Sequence, residues 1–124
     1  MSDKERFEAL FNYRMEQADD ALLEARNSLT TGLKVNRAYY AMFYSLLALF
    51  IKDKQTIKTS KHQGVIGFFN KEYIYTKKLN QTLYITLTTI FRARLKADYK
   101  EMIIVSEEDA ERYIVQARQF VDTI

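Results

Sequence analysis

The chain has 124 residues, with 19 Lys and Arg against 16 Asp and Glu, a single His, three Gly, and neither Cys nor Pro. The lack of cysteine excludes disulfide scaffolds, thiolate metal sites, iron–sulfur clusters and cysteine nucleophiles. Proline and glycine punctuate hairpins, so their scarcity predicts an all-α chain, and the length predicts one domain spanning residues 1–124.

Phe7, Leu10, Phe11, Ala18, Ala21, Leu22, Ala25 and Leu29 recur at helical spacing, which predicts a long amphipathic first helix ending near Gly32. A second helix is expected from about Val35 to Lys52. It carries Ala38, Tyr39, Met42, Phe43, Leu46, Leu49 and Phe50 on one side and Tyr40, Tyr44 and Leu47 elsewhere. Being apolar on most faces, it should be central. Residues Asp53 to Thr59 read as a polar, lysine-rich loop, after which Ser60 and Gln63 have the spacing of a capping box opening a short helix through Phe69. His62 would then stand in a first helical turn.

A fourth helix is expected from about Leu79 to Ala97, with Leu79, Leu83, Leu87 and Ile90 on one stripe. Its centre, with Thr86, Thr88 and Thr89, is rich in β-branched residues, but the length of the periodic run favours a helix. Ser106 followed by Glu107, Glu108 and Asp109 marks another helix start, with acids at the positive end of the dipole. Ala110, Tyr113, Ile114, Ala117, Phe120, Val121 and Ile124 then follow at helical spacing. The expected architecture is an up-and-down bundle of four long helices and one short one.

The N-terminus lacks an apolar stretch behind a basic start, so no secretory leader is expected and the expected location is cytoplasmic. The longest apolar stretch, Ala38 to Ile51, is 14 residues, short of the ~20 needed to cross a bilayer, and no membrane association is expected. Charge is unevenly spread: residues 1–35 carry a net −2, residues 36–100 a net +9 and residues 101–124 a net −4. The basic middle either presents a positive field to phosphates or an acidic partner, or simply keeps loops soluble.

Helical bundles that hold dinuclear metal sites need paired Glu and Glu-x-x-His motifs, and the one His here has Thr59 at the required offset. No metal site and no cofactor are expected. Gly32, Gly64 and Gly67 match neither a Rossmann nor a Walker phosphate loop. A hydrolase triad would have to use His62 as its sole base with a hydroxyl such as Ser60, and the spacing gives that no support.

Two segments place arginine beside aromatics at a helix end: Asn36-Arg37-Ala38-Tyr39-Tyr40-Ala41, and Arg92-Ala93-Arg94-Leu95-Lys96-Ala97-Asp98-Tyr99. Arg92 and Lys96 share a face, and Arg94 is turned away from them. A cationic group of this kind can hold a phosphate, with Tyr99 stacking on a base or donating a hydrogen bond. The same residues also read as structure. Asp98 can pair with Arg94 four residues earlier, Asn36 can cap the second helix, and Tyr39, Tyr40 and Tyr99 can be core rings with wet hydroxyls.

Taken together, the run from Asn36 to Tyr44, the segment Ser60-Lys61-His62-Gln63-Gly64-Val65, the run from Arg94 to Tyr99 and the acid-capped last helix with Ala117 and Phe120 resemble the HEPN superfamily. The likeness is to its branch of small bacterial and archaeal proteins and spans nearly the whole chain. It implies a helical bundle that forms a homodimer. It also implies either a metal-independent ribonuclease, the toxin of a toxin–antitoxin pair with a minimal nucleotidyltransferase as antitoxin, or a non-catalytic module that binds RNA, a nucleotide or a protein partner.

The superfamily's catalytic signature is an Arg followed a few residues on by a His, in which the Arg holds the phosphate and the His moves a proton of the ribose hydroxyl or the leaving group. Arg94 takes the Arg place and Tyr99 stands where the His would be. Tyrosine, with an ordinary pKa of about 10, is a poor base at neutral pH. His62 could supply the base if the fold brings it to Arg94. On this resemblance the catalytic candidates are Arg94, Tyr99 and His62. The nucleotide-binding or RNA-binding candidates are Asn36, Arg37, Arg92, Lys96 and Asp98.

Overall fold

Local caps decide where the helices begin. In the computed structural model, which describes the backbone of residues 1–99 and 104–124 and the side chains of all of these except Tyr99, five α-helices are present. Helix α1 spans Asp3–Asn27, α2 Thr31–Lys52, α3 His62–Phe69, α4 Gln81–Tyr99 and α5 Glu107–Thr123. No strand occurs among the described residues. Ser2 caps α1, with its Oγ accepting from Glu5 N at 3.1 Å, and Ser106 caps α5, accepting from Asp109 N at 3.0 Å. Each satisfies one of the backbone donors that a helix start leaves free.

Two of the expected boundaries differ. Helix α1 ends at Asn27 and α2 begins at Thr31, so Gly32 lies inside α2 and not at the end of α1. The reason is Thr30, whose Oγ1 accepts from Leu33 N at 3.2 Å and caps α2 a turn earlier than the apolar periodicity suggests. Asn36 is therefore not a cap; it stands in the second turn of the helix. The Ser60–Gln63 capping box does not form either. Lys61 is the N-cap residue of α3 with no side-chain cap bond, while Thr59 Oγ1 accepts from Lys61 N at 3.1 Å. Thr59 also crowds Gly64, where an added Cβ would collide with the threonine methyl, so glycine is what lets this loop lie against α3.

Helix α2 is central, as its composition predicts, and packs against α1, α4 and α5. Ala38, Tyr39, Met42, Phe43, Leu46, Leu49 and Phe50 are buried, while Tyr40, Tyr44 and Leu47 are only partly so. Each fully buried large apolar side chain contributes roughly 1.5–3 kcal/mol of transfer free energy. The buried serine of this helix, Ser45, donates its Oγ proton to Met42 O at 2.7 Å. Lys34, also buried, spans to α5 through Glu111 at 2.7 Å and Glu107 at 3.4 Å. The hydrogen bond to Glu111 is the main reason its pKa is raised.

The threonine-rich centre of α4 stays helical, with Thr88 Oγ1 turned back to Tyr84 O at 3.0 Å. Helix α3 runs on into a π-helical turn, Asn70–Ile74, that was not legible from periodicity. The apolar face of α1 is only half covered. Ala18, Ala21, Leu22 and Ala25 are buried, whereas Phe7, Leu10 and Tyr13 are 38%, 46% and 54% exposed. No described helix is long and apolar enough to cross a membrane.

Candidate functional site

Asn36, Tyr39, Tyr40 and Phe43 fall at helical i, i+3, i+4 and i+7 spacing, so one face of α2 presents an amide followed by three aromatic rings. Helix α4 lays Arg94 on this face. Its guanidinium carbon is 5.2 Å from the ring centroids of both Tyr39 and Tyr40, a cation–π arrangement on two rings at once. Arg94 Nε donates to Asp98 Oδ2 at 3.1 Å, and Asn36 Nδ2 donates to the same oxygen at 3.3 Å. Asn36 Oδ1 in turn accepts from Arg37 Nε at 3.0 Å and from Arg37 Nη2 at 2.9 Å, and Arg37 lies 4.9 Å over the Tyr40 ring. Among the described residues no side chain bonds the two terminal nitrogens of Arg94.

The first residue of α3 meets the same rings from another side. His62 stacks on Phe43 at 4.3 Å with an interplanar angle of 10°, and it meets the edge of Tyr40 at 5.6 Å. Its Nδ1 is 2.7 Å from Tyr39 Oη. Burial, and then the positive charge of Arg94, lower the His62 pKa, so the imidazole is neutral at neutral pH. Burial pushes the Tyr39 phenol well up, against a smaller opposing effect of Arg94.

Asn36, Arg37, His62, Arg94 and Asp98 thus gather around Tyr39 and Tyr40, although they come from α2, α3 and α4. Arg92 and Lys96 do not join them. Both are exposed and line a separate depression of about 290 Å³ with Asp109 and Tyr113 of α5. Tyr99 is the last residue of α4, and its side chain lies outside the described residues. The residue that sequence reading underused is Tyr39. It appears there only as a core ring or an aromatic near Arg37, whereas it contacts both His62 and Arg94; the signal was its shared helical face with Asn36 and Phe43. No group of three or more His, Cys, Asp or Glu side chains among the described residues is placed to hold a metal ion.

The family model for the HEPN domain matches residues 11–124. The chain belongs to the HEPN domain family. This HEPN domain is 34% identical over 125 residues to a UPF0332 protein of Thermotoga maritima, covering 100% of this chain and 92% of that protein. It is also similar to two proteins of Methanocaldococcus jannaschii that each bear the name "Putative toxin". One is 31% identical over 109 residues, covering 88% of this chain and 73% of that protein. The other is 32% identical over 121 residues, covering 98% of this chain and 87% of that protein. The all-helical bundle of the domain agrees with the resemblance read from its sequence.

Proposed function

We propose that this HEPN domain is the RNA-directed member of a toxin–antitoxin pair, a homodimer that engages an RNA phosphate through Arg94 and His62 and is held in check by a nucleotidyltransferase. The observation that carries this reading is the convergence of Arg94 and His62, from α4 and α3, on the same pair of tyrosine rings, with the terminal nitrogens of Arg94 unengaged among the described residues. A guanidinium held by one nitrogen, with no described side chain on the other two, matches the acceptor oxygens of a phosphodiester. The net +9 of residues 36–100 favours a polyanion. Asn36 and Asp98 set the position of Arg94, and Arg37 stands beside them; Arg92 and Lys96 would meet the RNA farther along its backbone. The toxin names of the M. jannaschii relatives support the pairing with an antitoxin. Homodimerisation has its apolar surface in the uncovered Phe7, Leu10 and Tyr13 of α1.

As a ribonuclease the site would work without metal, with Arg94 stabilising charge on the phosphate and Tyr99 or His62 handling the proton. A second reading, a binding module without cleavage, is favoured by a specific observation: His62 Nδ1 is 2.7 Å from Tyr39 Oη, so this nitrogen is engaged within the protein. One experiment separates them. Purified protein is incubated with single-stranded RNA in chelator, and binding and cleavage are followed together for the wild type and Arg94→Ala. Cleavage lost in the variant supports the ribonuclease. Binding without cleavage, weakened in the variant and falling steeply with salt, supports the module. RNA binding that is absent, or equal in the two proteins, overturns the assignment of the site.

A further inference from the structure

A neutral imidazole has one donor and one acceptor nitrogen, and which is which decides what His62 can do to a ligand. Tyr39 Oη lies 2.7 Å from His62 Nδ1, and that nitrogen is the hydroxyl's one hydrogen-bond partner among the described residues. Tyr39 has no exposed surface, and its ring is walled by Phe43 and Phe91 at 6.1 and 5.3 Å. If Nδ1 carried the ring proton and donated it to Oη, the phenol's own proton would point into this apolar wall with no acceptor for it among the described residues. A buried donor left unpaired loses its hydration without compensation, so the hydroxyl proton goes to Nδ1. The ring proton then sits on Nε2.

We propose that Tyr39 is a positioning residue that holds His62 in its Nε2–H form, so that the ring meets a phosphate as a neutral hydrogen-bond donor beside Arg94 and not as a general base. This rests on the reading of Arg94 and His62 as a phosphate site. The basic lone pair of His62 is occupied by Tyr39, while stacking on Phe43 at 4.3 Å fixes the plane of the ring. What the ring offers outward is a donor, and so does Arg94. Non-bridging phosphate oxygens only accept, so a phosphodiester fits both groups, and proton abstraction from a ribose hydroxyl has no free base among them.

The chain has 1 His, which makes the test clean. Long-range proton–nitrogen correlation spectra of 15N-labelled protein, recorded well above the ordinary imidazole pKa, report both ring nitrogens without ambiguity of assignment. The wild type is expected to show the proton on Nε2 and an Nδ1 resonance displaced by a hydrogen bond. In Tyr39→Phe that resonance is expected to move to the position of an unbonded nitrogen, with the circular dichroism spectrum unchanged. Tyr73→Phe, which alters another buried phenol, should leave the His62 signals where they were. A wild type with the proton on Nδ1, or a tautomer mixture indifferent to Tyr39→Phe, overturns the proposal.

A second measurement reads the ligand. His62→Ala is expected to weaken binding of a single-stranded RNA oligonucleotide about tenfold. His62→Gln restores an N–H donor without a basic nitrogen and is expected to recover about threefold of that loss. Equal weakening in both variants overturns the donor role. A wild type that binds no RNA overturns the RNA reading and leaves the tautomer to the spectra.

Discussion

Two buried tyrosines fasten the segment from α3 through its π-helical turn to α2, one at each end, and only one of them lies in the candidate site. At the start of the segment Tyr39 of α2 holds His62 at 2.7 Å. At its far end Tyr73 donates to Asp53 Oδ2, in the residue that caps the C-terminus of α2, also at 2.7 Å. Both phenols are pushed well up by burial, Tyr73 further by Asp53. Both stack among aromatics, with Tyr73 lying 5.8 Å from Phe69 and 5.9 Å from Phe50. The difference is in the surroundings. Beside Tyr39 stand a guanidinium whose ends no described side chain bonds and an imidazole that is neutral at neutral pH; Tyr73 has an exposed carboxylate and Lys78 over its ring at 5.8 Å. A buried, hydrogen-bonded tyrosine is therefore no mark of a site. What marks one is a group beside it with bonding capacity left for a ligand.

Truncation should treat the two alike. Tyr39→Ala and Tyr73→Ala each remove a ring from the core and are expected to cost about 3–5 kcal/mol in denaturant unfolding. A loss confined to one of them would show that the two fastenings are not equivalent.

Arg94→Ala should separate the ends. It is expected to lower RNA affinity roughly ten- to a hundredfold, the range for hydrogen bonds to a charged group, as measured by gel shift or fluorescence anisotropy. Tyr73→Phe should leave that affinity unchanged. An RNA-binding defect in Tyr73→Phe would show that the two ends do not differ in function. The cost of that variant is one hydrogen bond to an exposed carboxylate, about 1 kcal/mol, read as a fall in Tm of about 4 °C.

The smallest effect concerns pH. His62 has a folded pKa below its ordinary 6.5 because burial and Arg94 disfavour the cation. Below 6.5 the unfolded chain takes up the proton more readily than the folded one. Stability contributed by the neutral ring is thus present at higher pH, declines as pH falls through the ordinary value, and stops declining below the folded one. Thermal melts of the wild type should show this shallow decline, and His62→Gln should flatten it. A Tm that rises on acidification through this window would contradict the assigned environment of His62.

The sequence by itself determined the bundle. Helical periodicity and scarce turn residues are local properties, so five helices, the central role of α2 and the Ser106 cap were legible without tertiary information. The pairing of Arg94 with Asp98 was legible for the same reason, since residues four apart on a helix are neighbours. The start of α2 was placed a turn late because Thr30 and Asn36 are both good caps, and it is Thr30 whose Oγ1 takes the Leu33 N–H. How much of the apolar face of α1 is covered was not legible, because periodicity records which residues are apolar and says nothing of how far a neighbouring helix extends.

The candidate site was decided by tertiary structure. Asn36, His62 and Arg94 are far apart in the chain, and no spacing rule relates them. Only the docking of α3 and α4 on one face of α2 puts His62 and Arg94 against Tyr39 and Tyr40, and the burial of Tyr39 leaves its hydroxyl a single partner among the described residues. Local sequence can name a histidine and an arginine. Which nitrogen of the histidine faces a ligand depends on what the core leaves for Tyr39 to bond.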